Sequence, residues 1–468
     1  MKQYKFINVT MVTLFLLMLG MFAACSDDVN VGNKVDEGNY ETSDKVAGYL
    51  IGADGKKSTT YAEFRDAADI SLYLALNKNA TQAVSATLKF DASVLERYNT
   101  AHGTNYALFP QASVSFASAG AVSVANGAIK SDAAVVSVVS DGTLNPETTY
   151  VIPVSTDLNN GDILLGEEST LLIFVKDLSQ IPTADKASGI KIISCMEVND
   201  TNPLNNLCFT LQDSGKPLVD ILILFSGNVN YDETTGRVYN YNNPNVQHLL
   251  DNREKYLKPL QDRGIKVVLG ILGNHDRSGV ANLSKETAQA FAQELKAVCD
   301  AYNLDGIFWD DEYSSYISPP PPGFVSPSSA AAARLCYECK QAMPDKLMCA
   351  YVYGLTRNFP SVDGVQPGDF VDWGIHDYGG SSDLSGNYPG LPKSGMALYS
   401  QEFAQGRTTS EANLRRLRND GYGGNMIFAM DPFRSNFNSS QLPAMQRMAR
   451  VLYDEELVYD GQPYAKDW

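Results

Sequence analysis

Leu304-Asp305-Gly306-Ile307-Phe308-Trp309-Asp310-Asp311-Glu312-Tyr313 is the stretch on which the reading of this chain turns. It is a strand-like apolar run that ends in three consecutive acids. Side chains alternate along a strand, so Phe308, Asp310 and Glu312 share one face, and the Cα atoms of Asp310 and Glu312 lie about 7 Å apart. Two carboxylates at the end of an apolar strand are costly unless they do something. The structural alternative is that they pair with loop Arg or Lys, or bind a cation.

Working outward, this run is the fourth of eight. The others cover residues 189–198, 219–226, 265–272, 346–353, 370–376, 396–400 and 425–431. Helical patterns at 243–263, 285–303, 328–342, 410–420 and 441–453 lie between most of them. Strands alternating with helices predict an α/β TIM (β/α)8 barrel over residues 188–460. In such a barrel chemistry sits where the strands end, which is where the acids fall.

Upstream the pattern differs. Residues 70–76, 112–117, 133–139, 150–154 and 171–175 read as short strands separated by Gly, Asn, Asp and Pro. Pro153 suggests an edge or a strand end. One helix is predicted at 92–100, with Leu95 and Tyr98 for packing. The sum is an all-β immunoglobulin-like sandwich over 46–178, followed by a linker around Pro182, so the chain reads as multidomain. No catalytic constellation appears in the sandwich, and His102 reads as a solvent-exposed loop residue.

Residues 1–24 read as a lipoprotein signal peptide. Lys2 and Lys5 open it, 11–22 are apolar but too short to span a membrane, and Phe22-Ala23-Ala24-Cys25 resembles a bacterial lipobox. Cys25 would carry the lipid, with a plain secretory cut after Ala24 as the alternative. Polar residues 25–45 read as a tether. The expected location is the outer membrane, lipid-anchored and facing the cell surface.

Six further cysteines, Cys195, Cys208, Cys299, Cys336, Cys339 and Cys349, fall in apolar strand-like or helical settings. Buried free thiols are therefore expected rather than disulfides or zinc. The net charge of −17 argues against a nucleic-acid groove. The 25 tyrosines suit core packing, and also stacking on sugar rings. No metal cluster and no phosphate-binding glycine loop is seen. No cofactor is expected, and the chain is expected to be a monomer.

Asp305-Gly306-x-x-x-Asp310-x-Glu312 resembles the DxxDxDxE motif of glycoside hydrolase family 18. Ile265-Lys266-Val267-Val268-Leu269-Gly270-Ile271-Leu272-Gly273-Asn274-His275, with Asp310-Asp311-Glu312-Tyr313, is similar to the Endo H and Endo F1 type of endo-β-N-acetylglucosaminidase. Glu197-Val198-Asn199, 225–231 and 343–346 extend the likeness over most of 188–460. The N-terminal part resembles the β-sandwich that precedes glycan-active domains in surface lipoproteins.

The resemblance implies cleavage of the GlcNAc-β-1,4-GlcNAc core of N-linked glycans by substrate-assisted retaining hydrolysis, an exception to the two-carboxylate scheme. It makes Glu312 the acid, Asp310 the carboxylate that orients the substrate acetamide, and Tyr378 the hydroxyl donor, with His376 or Asp377 beside it. Glu197, Asn199, Asn274 and His275 are candidates to reach the sugar or to support those that do. Trp373, Tyr231 and Phe433 are candidate stacking platforms, and His248 reads as structural. Loops 231–243 and 314–327 would read the glycan antennae, the second carrying Pro319-Pro320-Pro321-Pro322 as a stiff wall. Phe308 departs from the motif, standing where the family has its middle Asp. It supports an alternative reading, a non-catalytic surface glycan-binding protein on a family 18 barrel. A chitinase fits the fold but not the third run.

Overall fold

The structure is a computed structural model that describes residues 45–468. The residues read above as a signal peptide, Cys25 and nearly all of those read as a tether lie outside the described residues. The chain divides into two compact units, one ending at Asp177 and one spanning Leu178–Trp468.

The first unit is two β-sheets sharing one core. A five-stranded sheet contains Val46–Gly52, Ala67–Leu76 and Ala134–Val139, and a six-stranded sheet contains Val84–Phe90, Tyr150–Asn160 and Leu171–Asp177. Alternation sends Leu50, Leu72 and Leu74 from one, and Ala86, Leu88 and Ile173 from the other, into the same apolar cluster. The helix Ala92–His102 is capped by the Asp91 carboxylate, which accepts the Ser93 N–H, and by Gly103 at φ 64°. It packs Val94 and Leu95 on Val151 and Leu172.

Pro153 is not on an edge strand. Its strand lies between Leu171–Asp177 and Val84–Phe90, and Pro153 sits where the neighbour changes from the short strand Ala107–Leu108 to Val84–Phe90. The proline thus falls at a break between two neighbouring strands, where a missing N–H interrupts no continuous ladder.

The second unit is a closed barrel of eight parallel strands, here β1 (Lys191–Glu197), β2 (Ile221–Asp232), β3 (Lys266–Leu272), β4 (Gly306–Trp309), β5 (Leu347–Tyr351), β6 (Trp373–Ile375), β7 (Met396–Ala397) and β8 (Gly424–Phe428). Pairing of β1 with β8 closes it. Both strand faces are buried, which is why the runs read as continuously apolar. One face fills the barrel with Ile193, Ile223, Val268, Phe308, Cys349 and Trp373. The other packs Leu222, Leu269 and Ile307 into a larger cluster shared with the helices. All six described cysteines are free and buried.

Three aspartates at the strand starts pin the register. Asp220, Asp305 and Asp372 accept the backbone N–H of Ile192, Val267 and Met348, each on the preceding strand, at 2.8, 2.9 and 2.7 Å. Asp305, the first acid of the motif, is thus at the far end of β4 from Asp310 and Glu312.

The five helical patterns of the sequence all form, but the layer is less regular than a (β/α)8 repeat implies. Helices follow β2, β3, β4, β7 and β8, whereas β1, β5 and β6 are followed by 310 turns and coil. Those connections carry Pro203, Pro360, Pro367, Pro389 and Pro392 with several glycines, so no helix propagates. The pattern at 243–263 forms three short helices, Pro244–Asp251, Arg253–Tyr256 and Lys258–Asp262, with Asn252 and Leu257 at the breaks. Beyond the barrel rim β2 turns back as a hairpin with Arg237–Asn242.

Candidate active site

Asp310 and Glu312 of the opening stretch meet at the carboxyl end of the barrel. Glu197, Asp310, Glu312, Tyr313, Tyr351, Tyr353, Asp377 and Tyr378 line an open cavity of about 930 Å³, over an apolar floor of Cys195, Phe225, Phe308, Met426 and Phe428. Alternation along β4 works as read. Phe308 is 2 % exposed in the barrel interior, and Asp310 and Glu312 follow it upward on the same face. The Phe308 ring lies 6.4 Å from that of Phe225 and 6.0 Å from that of Tyr351, so an aromatic bed supports the acids.

Asp310 is 2 % exposed, and its Oδ1 is buried with no hydrogen-bond partner. Burial first, then the charges of Glu312 and Asp311, push its carboxyl well above the usual carboxylate range. Glu312 is half-buried and is pushed up by burial and then by Asp311. Burial thus disfavours ionisation of both carboxyls. Glu197, at the end of β1, is pushed up to about 7 by burial and then by Asp200, with Arg434 opposing.

The backbone of Glu312 and Tyr313 is held from the β3 side. The Gly273 N–H donates to the Glu312 carbonyl at 2.9 Å, and the His275 N–H donates to the Tyr313 carbonyl. A Cβ on Gly273 would stand 2.3 Å from Ser314 Oγ and 2.6 Å from the Glu312 oxygen, so only glycine fits this approach.

The other candidates divide. Tyr378 and Asp377 line the cavity, and burial pushes the Tyr378 hydroxyl up. His376 is engaged within its own loop, Nδ1 with Asp377 at 3.0 Å and Nε2 with Ser382 at 2.8 Å. Trp373 lies in the barrel interior, 9 % exposed, and does not line the cavity. Asn199 is exposed and accepts from Asn245 Nδ2, and Asn274 donates to Asn230. His275 is exposed, its ring 5.6 Å from that of Tyr313. Tyr231 packs on Phe324, Phe433 is 58 % exposed, and His248 stacks on Trp468.

Sequence reading missed Tyr351 and Tyr353, which line the cavity from the end of β5. Their spacing of two at the end of an apolar run was the available signal. Among the described residues no group of three His, Cys, Asp or Glu side chains is gathered as a metal ion would need. A cavity with four carboxyls, four tyrosines and an apolar floor can bind a neutral polyhydroxyl ligand and exchange protons with it.

A family model described as "-like, N-terminal domain" matches residues 40–163. Over 287 residues the chain is 65 % identical to the endo-beta-N-acetylglucosaminidase F1 of Elizabethkingia meningoseptica, covering 61 % of this chain and 85 % of that protein. It is 30 % identical over 274 residues to the endo-beta-N-acetylglucosaminidase of Flavobacterium sp. (strain SK1022), covering 58 % and 83 %. The solved structure of Bacteroides thetaiotamicron EndoBT-3987 with Man9GlcNAc2Asn substrate matches with a TM-score of 0.58 at 34 % identity, covering 90 % of this chain and 97 % of that one. The same protein with Man5GlcNAc product matches with a TM-score of 0.57 at 37 % identity, covering 89 % and 99 %.

Proposed function

The chain belongs to the endo-beta-N-acetylglucosaminidase family, and from that premise we propose that it hydrolyses the β-1,4 bond between the two core N-acetylglucosamines of N-linked glycans. One observation carries the mechanism: Asp310 Oδ1 is a buried acceptor without a donor, beside a carboxyl that burial pushes above its usual range. A buried orphan acceptor calls for a partner, and the N–H of a substrate acetamide supplies one.

In this reading Glu312 gives its proton to the glycosidic oxygen as the bond to the anomeric carbon breaks. The acetamide oxygen of the same sugar attacks that carbon, closing an oxazolinium. Asp310 orients the acetamide through its N–H and balances the positive charge that grows on the nitrogen. Tyr378 donates its hydroxyl to the acetamide oxygen, with Asp377 beside it. Water then opens the ring, Glu312 takes its proton, and the anomeric configuration is retained. Phe308 supplies the apolar bed in place of the family's middle Asp, so the raised pKa of Asp310 comes from burial and from Glu312 and Asp311. A glycan-binding protein without turnover would rest on Phe308 alone, and both working carboxyls are present.

The glycans carried by the solved relative support a high-mannose substrate. Glu197 reaches the sugar from β1, and Tyr353, Asn274 and His275 sit at the rim. We read the first unit as immunoglobulin-like, the second as TIM-type, and the whole as a monomer held at the outer membrane by a lipid on Cys25.

The experiment is a proton NMR time course of glycan release. The β anomer of the new reducing end appears first, and Glu312→Gln binds glycan without releasing it. First appearance of the α anomer contradicts the mechanism.

A further inference from the structure

Between the two acids assigned to the reaction stands a third, Asp311, to which the mechanism above gives no contact with substrate. Alternation turns it away from the cavity. There its Oδ1 accepts the Tyr316 hydroxyl, and its Oδ2 accepts the Leu355 N–H at 2.8 Å. The Tyr316 oxygen in turn accepts the Ala281 N–H at 3.2 Å. Gly354, at φ 47°, lies so close that a Cβ there would fall 2.7 Å from Asp311 Oδ2.

One carboxylate therefore joins three loops: the β3 loop through Tyr316 and Ala281, its own β4 loop, and the β5 loop that follows Tyr351 and Tyr353. Both of its partners are neutral donors. Among the described residues no Lys, Arg or His pairs with it, so its charge is held in place and not cancelled.

We propose that Asp311 is a positioning residue for Glu312, tying the β3, β4 and β5 loops behind the reacting pair and setting a fixed negative charge against it. This rests on the assignment of Glu312 as the acid. The charge acts in the direction the chemistry needs, since after burial it is what raises Glu312, and it adds to the forces on Asp310. The other titratable groups facing Glu312 are Asp310 on its own strand, Cys195 and Glu197 from β1, Tyr351 and Tyr353 from β5, and Asp377 and Tyr378 from β6. Tyr313, with His275 against its ring, follows it directly. Phe225, Met426 and Phe428 do not titrate.

The test separates charge from bracing in the full chain. Asp311→Asn removes the charge and one of the two accepting oxygens, whereas Tyr316→Phe removes a brace and keeps the charge. With Asp311→Asn the alkaline limb of kcat/KM moves to lower pH by about one unit. With Tyr316→Phe kcat falls and the limb stays. The Glu312 carboxyl, followed by 13C NMR in labelled protein, titrates lower in Asp311→Asn by the same amount, and this readout does not depend on turnover. Thermal melts confirm that each variant folds. If the carboxyl titration is the same in wild type and Asp311→Asn, the inference is overturned. If that titration shifts but wild type releases no glycan, the proposed reaction fails while the electrostatic coupling stands.

Discussion

At the residue scale, Glu197 is the titrating group with the clearest consequence for stability. Burial raises its carboxyl to about 7, so the folded chain holds this proton more tightly than the unfolded chain does. The favourable contribution is full below the unfolded value of about 4.3 and is lost as pH rises through about 7. Glu197→Gln fixes the uncharged form. The gap between wild type and variant is therefore constant below about pH 4 and shifts in favour of the variant as pH rises to about 7, above which it levels off. A constant gap at every pH would show that Glu197 is not perturbed. The placement of Asp310 and Glu312 on one face was legible because alternation needs only the sequence. His376 and Trp373 were not, because a residue at a strand end can turn into the cavity, into its own loop or into the barrel. That choice is made by neighbours such as Ser382, which lies 2.8 Å from His376 Nε2. Tyr351 and Tyr353 were hidden for a related reason, since an aromatic at the end of a buried run reads as core.

Among the elements, the β3 loop is the one on which the site depends. Gly273 and His275 donate to the carbonyls of Glu312 and Tyr313, and Gly273 has no space for a methyl group. Gly273→Ala must push Ser314 and the Glu312 carbonyl aside. A displacement of about 1 Å at a reacting group costs roughly 100-fold in rate. Gly273→Ala therefore lowers kcat on that order with substrate binding retained, and steady-state kinetics on a defined glycan checks it. Unchanged kcat would mean that the loop does not position Glu312. All eight barrel strands could be found from their apolar runs, since parallel strands buried on both faces leave that mark. The helical layer could be read only where periodicity was long. The coil after β1, β5 and β6 is written in proline and glycine, and the breaks at Asn252 and Leu257 are not visible as a loss of period. The β2 hairpin escaped notice because its return strand, Arg237–Asn242, is polar and lies beyond the barrel.

For the whole molecule, the two units have separate cores, and all the groups assigned to chemistry lie in the second. Identity to the endo-beta-N-acetylglucosaminidases covers 61 % of the chain, about the share that the barrel occupies. The central claim is that this barrel cuts between the two core sugars with Glu312 as the acid. Intact mass spectrometry of a high-mannose glycoprotein incubated with the full chain tests it most directly. The account predicts that each processed site keeps one N-acetylglucosamine, that the rest of the glycan is recovered free, and that Glu312→Gln leaves the glycoprotein unchanged. Undiminished glycoprotein mass after prolonged incubation with wild type, or equal release by Glu312→Gln, would contradict it.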